Sequence, residues 1–188
     1  MKFNSRLLFF TILLTAIATA CKFFFGPDIH FSGFSPIIAI ALFSGMIMKQ
    51  KDASFLLPLL ALVLSDLAIQ IFYTQGWFPY EGMYSGQWKN YLILLSCTLI
   101  GWALKGKNYS NLIAGTIAAP TIFFLISNFG VWMGPHITYT KDFNGLLNCY
   151  IAGLPFYKNS LIATVLFLPA ILFSYNFLLR QKKELRLA

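Results

Sequence analysis

Residues 54–74 read Ser-Phe-Leu-Leu-Pro-Leu-Leu-Ala-Leu-Val-Leu-Ser-Asp-Leu-Ala-Ile-Gln-Ile-Phe-Tyr-Thr, with one charged side chain, Asp66. A mostly apolar run of about 20 residues can cross the hydrocarbon core of a bilayer as a single helix. At roughly 1.5 Å per residue, Asp66 falls about 18 Å along that helix, close to the bilayer centre. An ionisable group at that depth is costly and is expected to face the protein interior with a partner. Gln70 and Tyr73 follow at i+4 and i+7. One face therefore carries Asp66, Gln70 and Tyr73 from the midplane to one edge. Trp77, Tyr80 and Tyr84 continue the polar and aromatic series into the segment beyond. Such a face either joins helices or walls a small-molecule site, which is usually apolar with a few placed polar atoms.

Composition extends this reading to the whole chain. Hydrophobic residues make up 58% of the 188 residues and charged residues only 11%. An ordinary soluble domain carries about 25% charged residues. One soluble core of this size could not hide so much apolar surface, whereas lipid removes the need to hide it. The 20 Phe, 9 Tyr and 4 Trp suit lipid-facing surfaces with interfacial belts. The net charge of +8 is spread in short clusters between apolar runs. It forms no basic stripe with interleaved aromatics, which argues against a nucleic-acid partner.

Six apolar segments are readable, at 7–25, 35–48, 54–74, 90–104, 111–132 and 160–179. The second and fourth are short. With the N-terminus inside, only Lys22, Lys89, Lys141 and Lys158 of the 14 Lys and Arg fall outside. The positive-inside bias thus selects both ends inside. The expected fold is an all-α integral membrane protein, a six-helix transmembrane bundle in one domain over 1–188, in contact with membrane lipid. The outer loops 75–89 and 133–159 are long and aromatic, unlike a disordered composition. The second is expected to hold a short amphipathic helix near 143–150. The fifth segment repeats the polar face with Ser127 and Asn128, and Trp132 lies one turn beyond. His136, Asn144 and Asn148 follow in the loop. Both polar faces are expected to converge in the outer half of the bundle, beneath the loops. Helix packing alone is an equal rival for Asp66 and Asn128, and the better reading for any single loop aromatic.

Several local patterns carry no chemistry. Gly101-Trp-Ala-Leu-Lys-Gly-Lys-Asn108 nearly spells a phosphate-binding loop, but it begins in an apolar segment and has Asn108 where magnesium needs Ser or Thr. Ala18-Thr-Ala-Cys21 resembles a lipoprotein cleavage site, yet the apolar run continues through Phe25, so an uncleaved first span is favoured. Cys21, Cys97 and Cys149 have no metal-ligand spacing, and a bridge between Cys21 and Cys149 is open. His30 and His136 stand alone, so no metal is expected, and no cofactor. With two His and six acidic residues, catalytic sets have few possible members, and no enzyme activity is expected.

Small residues recur at spacing four: Ala16 and Ala20, Ala41 and Gly45, Ala114 and Ala118, Gly115 and Ala119. Such faces let helices approach closely, and one left open suits a separate membrane partner. Together with residues 34–45, 57–66 and 127–132, these features make the chain resemble the substrate-binding S component of energy-coupling factor (ECF) transporters. More narrowly it is similar to an uncharacterised S-component-like family of bacterial membrane proteins. The resemblance covers nearly the whole chain, on soft motifs. It implies capture of a vitamin-like solute outside the bacterial cytoplasmic membrane. It also implies a transmembrane coupling subunit with two ATPases, docked on Ala16 and Ala20. The N-terminal His-rich set of metal-binding members is missing, so an organic solute is expected. The rival readings are a scaffold subunit without ligand, a stand-alone small transporter, and a small membrane enzyme acting on lipid or prenyl substrates, which would need more acidic or His residues than the chain has.

Overall fold

The computed structural model describes residues 5–48, 50–105, 108–134 and 138–179. Among them are six α-helices and no strand: α1 (Ser5–Phe25), α2 (Ile37–Ile47), α3 (Lys51–Thr74), α4 (Gln87–Leu104), α5 (Tyr109–Met133) and α6 (Phe143–Leu179). Four of them, α1, α3, α5 and α6, are long and apolar enough to cross a membrane. The basic residues Lys2, Lys49, Lys107 and Arg180 lie outside the described residues.

The short second segment explains the architecture. Every residue of α2 except Ile47 is buried. It is apolar all round because it has no solvent or lipid face. The helices α1, α3, α4, α5 and α6 close a ring around it, each packed on the next and α6 returning to α1. At one end Phe10, Phe43 and Tyr175 lock α1, α2 and α6 edge-to-face, with ring centroids 5.1–5.8 Å apart. Nearby, Ser44 Oγ donates to Ser54 O at 2.7 Å and Trp102 Nε1 to Ser54 Oγ at 3.0 Å, tying α2, α3 and α4.

The α2 and α4 backbones approach closely through glycines. A Cβ on Gly101 would lie 2.9 Å from Met46 N and 3.0 Å from Gly45 Cα. A Cβ on Gly45 would collide with Thr98 O. The Ala41/Gly45 repeat is thus used inside the bundle, as is Gly115, which meets Met46 and Leu42. The phosphate-loop look-alike dissolves in the same region. Gly101 is a packing residue, and Asn108 caps α5 by accepting from Asn111 N at 2.8 Å. Gly106 and Lys107 lie outside the described residues.

The main departure from the sequence reading is α6. A loop with a short helix near 143–150, followed by a span at 160–179, was expected; the chain instead forms one helix of 37 residues. Pro155 lies inside it. Proline costs the bond to the carbonyl four residues back but does not stop a helix held by its neighbours. At ~1.5 Å per residue α6 is about 55 Å long, more than the thickness of a whole bilayer. Asp142 caps its start, accepting from Gly145 N and from Thr140 Oγ1, both at 2.7 Å. These bonds hold the Asp142 carboxyl below its ordinary value.

Replacing Gly101 by Leu should cost at least the upper end of the roughly 1–3 kcal/mol typical of overpacking, because backbone stands in the way. At Gly130, by contrast, a Cβ would meet only open space. Gly130→Leu is therefore expected to fold normally. Size-exclusion profiles and thermal midpoints in detergent micelles check the pair. Equal midpoints would show that α2 and α4 are not so closely apposed.

Candidate functional site

Asp66 finds its partner on the first helix. Lys22 Nζ donates to Asp66 Oδ1 and, at 2.7 Å, to Ser65 Oγ. Asp66 Oδ2 accepts from Gln87 Nε2 at 2.7 Å and from the Tyr91 hydroxyl at 3.0 Å. The carboxylate is buried, its side chain 5% exposed, and is met by three donors from α1 and α4. An ion pair with further hydrogen bonds is the arrangement that makes a buried charge tolerable. Sequence reasoning counted Lys22 as a loop charge and passed over Gln87 and Tyr91. The signal for Lys22 was available: it interrupts an apolar run that continues through Phe25, and the one deep acid needed a cation.

The pair opens on a cavity of about 740 Å³ at one end of the bundle. Its walls come from the end of α1, the face of α3 bearing Leu62, Asp66, Ile69 and Tyr73, and the start of α4 with Gln87 and Asn90. Phe123 of α5 and Ser160 of α6 complete the ring. The first residues of α2, Ile37 and Ile38, also line it.

Two segments roof the cavity. Residues 31–35 are pinned by α6, where Asn159 Nδ2 donates to His30 O at 2.8 Å and Ser32 O at 2.9 Å, and Ser160 Oγ to Gly33 O at 3.1 Å. The α3–α4 segment contributes Pro79, Tyr80, Glu81, Gly82 and Tyr84. Gly82 seats this segment: a Cβ there would collide with Asp66 O and lie 2.6 Å from Gln70 N. Gln70 Oε1 accepts from Met83 N at 2.9 Å. Asn90 Nδ2 donates to the Tyr84 hydroxyl at 2.7 Å and to Gln87 Oε1 at 2.8 Å. Burial pushes the Tyr80 and Tyr84 phenols above their ordinary values; at Tyr84 the Asn90 bond opposes the rise and the Asp66 charge adds to it. Both therefore stay protonated at neutral pH.

The sequence-derived residues divide. Asp66, Tyr73 and Tyr84 line the cavity, and Gln70 braces its roof. Trp77 is exposed and stacks on Phe72 outside it, centroids 6.2 Å apart. Asn128 and Trp132 lie on the α5–α6 side and do not line it. Asn128 Nδ2 donates to Phe124 O at 2.9 Å, and its side chain fills the space above Gly153. Trp132 Nε1 donates to Thr140 O at 2.9 Å. Asn144 and Asn148 are exposed on α6, and His136 lies outside the described residues. The two polar faces are not brought together, because α2 and its neighbours separate α3 from α5. Cys21, Cys97 and Cys149 are buried free thiols, so Cys21 and Cys149 are not bridged. No cluster of His, Cys, Asp and Glu suited to a metal ion occurs among the described residues.

Fold and site together define an all-helical protein with four potential membrane-crossing helices and a roofed cavity floored by an ion pair. Residues 1–186 match the model described as a family of unknown function, DUF6580, and the chain belongs to that family. No curated protein and no solved structure matches it.

Removing one partner of a buried pair strands the other, at about 3–5 kcal/mol. Lys22→Met and Asp66→Asn should each lower the thermal midpoint in detergent, and the double variant should recover much of the loss. Additive losses would show the two residues to be energetically independent.

Proposed function

We propose that the chain is the solute-capture subunit of an uptake system in a bacterial cytoplasmic membrane. It crosses six times with both ends inside, α2 and α4 serving as the short crossings. It takes a vitamin-like organic molecule from outside into the cavity. It performs no chemistry, and passes the molecule to a separate transmembrane coupling subunit driven by two ATPases.

The observation that carries this reading is the cavity. Its volume of about 740 Å³ falls within the roughly 300–1,000 Å³ usual for small-molecule sites. Apolar and aromatic walls with a few convergent polar groups are the usual lining of such a site. Lys51 and Lys105, at the start of α3 and the end of α4, sit at the end opposite the cavity. That placement fits a cavity opening outward under the positive-inside bias. A scaffold subunit would account for a fully bonded Asp66 but leaves the cavity without a purpose.

The coupling partner has separate support. Ala16 and Ala20 are exposed on α1, between the exposed Ile12 and Phe24, and no helix among the described residues covers them. Small residues on an open helix face permit close approach of another membrane helix.

Protein purified in mild detergent is expected to carry a small organic molecule visible by native mass spectrometry. An empty protein that also ignores a broad solute panel would sink the capture reading. Ala16→Leu with Ala20→Leu should abolish co-purification with a membrane partner, leaving the thermal midpoint and ligand content unchanged. Retained co-purification would place the docking face elsewhere.

A further inference from the structure

We propose that the captured molecule carries a carboxylate, seated against the first turn of α2 and within reach of Lys22. This deepens the capture reading and rests on it.

The first turn of α2 is buried without being satisfied. Ile37 and Ile38 are each 7% exposed and Ala39 is 0% exposed. The first backbone bond of the helix runs from Ile40 N to Pro36 O at 2.8 Å, and no side chain caps the start. Among the described residues nothing accepts from the amides of residues 37–39. A helix start is normally capped or hydrated, and a buried amide without an acceptor costs free energy comparable to a lost hydrogen bond. The hydroxyl oxygen of Ser35, just before this turn, is also buried without a partner. Ser35, Ile37 and Ile38 are all among the residues that line the same cavity.

The remaining polar groups have the same bias. Lys22 uses two of its three ammonium hydrogens on Asp66 and Ser65, leaving one at the cavity wall. Tyr84 accepts from Asn90, so its own hydrogen is still to be donated. Acceptors nearby are already engaged: both Asp66 oxygens receive donors, and Gln87 Oε1 receives Asn90. Apart from Asn90 Oδ1, which receives no donor among the described residues, the side-chain groups nearest Lys22 and α2 that are left over are donors, at the end of a helix whose dipole favours negative charge. Lys22 and Asp66 offset each other, so an incoming anion meets no net negative charge at the floor. Glu81 is the other acid on the lining, and it is exposed, where water and salt screen it. A carboxylate offers acceptors only, in a planar pair suited to adjacent amides and a hydroxyl. Phe31, Phe34, Ile69 and Phe123 would hold an aromatic or alicyclic body above it.

The test uses the full chain in detergent and matched probes: phenylbutyrate with phenylbutyramide, indoleacetate with indoleacetamide, and the acid and amide forms of any molecule that co-purifies. Binding is read by microscale calorimetry or thermal shift. The acid of a binding pair should bind at least about tenfold tighter than its amide, the scale of one charge-assisted hydrogen bond. Ser35→Ala, a mild change, should narrow that preference. The neutralised Lys22→Met/Asp66→Asn double variant should narrow it further. Amides that bind as well as acids would overturn the carboxylate assignment and leave capture standing. So would a preference untouched in both variants. A protein that carries nothing and binds neither member of any pair would overturn capture itself, and this proposal with it.

Discussion

The structure depends on a short apolar helix buried inside a ring of longer ones. With 11 residues at ~1.5 Å each, α2 is about 16 Å long, roughly half the hydrocarbon core. Exposed to lipid, its ends would leave backbone groups without partners at a depth where no water reaches them. Surrounded by five longer helices, it can stop wherever protein receives it. At the Met46 end it is received by contact: the Gly45–Gly101 approach, the Ser44–Ser54 bond and the Phe10–Phe43–Tyr175 cluster fill the space. At the Ile37 end the surrounding helices continue and α2 does not. The cavity lies at this end, lined by Ile37 and Ile38 and by the two segments around residues 31–35 and 79–84.

The Lys22–Asp66 pair follows from that geometry. A volume left open inside a ring of helices must be walled by something other than the central helix, and here α1, α3 and α4 meet across it through one carboxylate. Asp66 alone would be an isolated buried charge, and Lys22 alone would be its mirror image. Paired, and with Gln87 and Tyr91 on the other oxygen, they join three helices while adding no net charge. The pair contributes geometry more than stability, since desolvating two ions consumes most of what their attraction returns. Its position is set where the α3–α4 segment comes down on the helix, with Gly82 against the Asp66 carbonyl.

Helices and one polar face were legible because their signals are local. Apolar length marks α1, α3 and α5, and the i, i+4, i+7 spacing placed Asp66, Gln70 and Tyr73 on one side of α3. What was not legible is pairing across the chain. Asp66 demanded a partner, but nothing in the spacing of α3 says that Lys22 supplies it from 44 positions away. The α5 face failed differently. Asn128 carries the same kind of polar group, yet it is spent on the α5–α6 contact over Gly153, and only the order of helices around α2 decides that. The continuity of α6 was hidden by Pro155 together with Lys158 and Asn159, which read locally as a break. In the fold Asn159 is a helical residue that reaches across to hold the roof.

The distribution of hydrogen bonds around the cavity is uneven in a way that packing alone does not require. The roof is bonded: Asn159 and Ser160 hold one segment, Gln70 holds the other, and Asn90 links Tyr84 to Gln87. The wall is bonded through Asp66. Among the described residues, Ser35, Thr98 and Asn176 each have a buried side-chain oxygen without a partner, and only Ser35 lies on the cavity. It stands beside three buried amides in the same condition. Structures that depart from local satisfaction tend to do so at functional sites, where the missing partner is a ligand. Asn, Asp or Thr is the usual residue at the position that Pro36, a fully buried side chain, holds before this helix. Proline there leaves the turn open, beside a volume large enough to receive a solute.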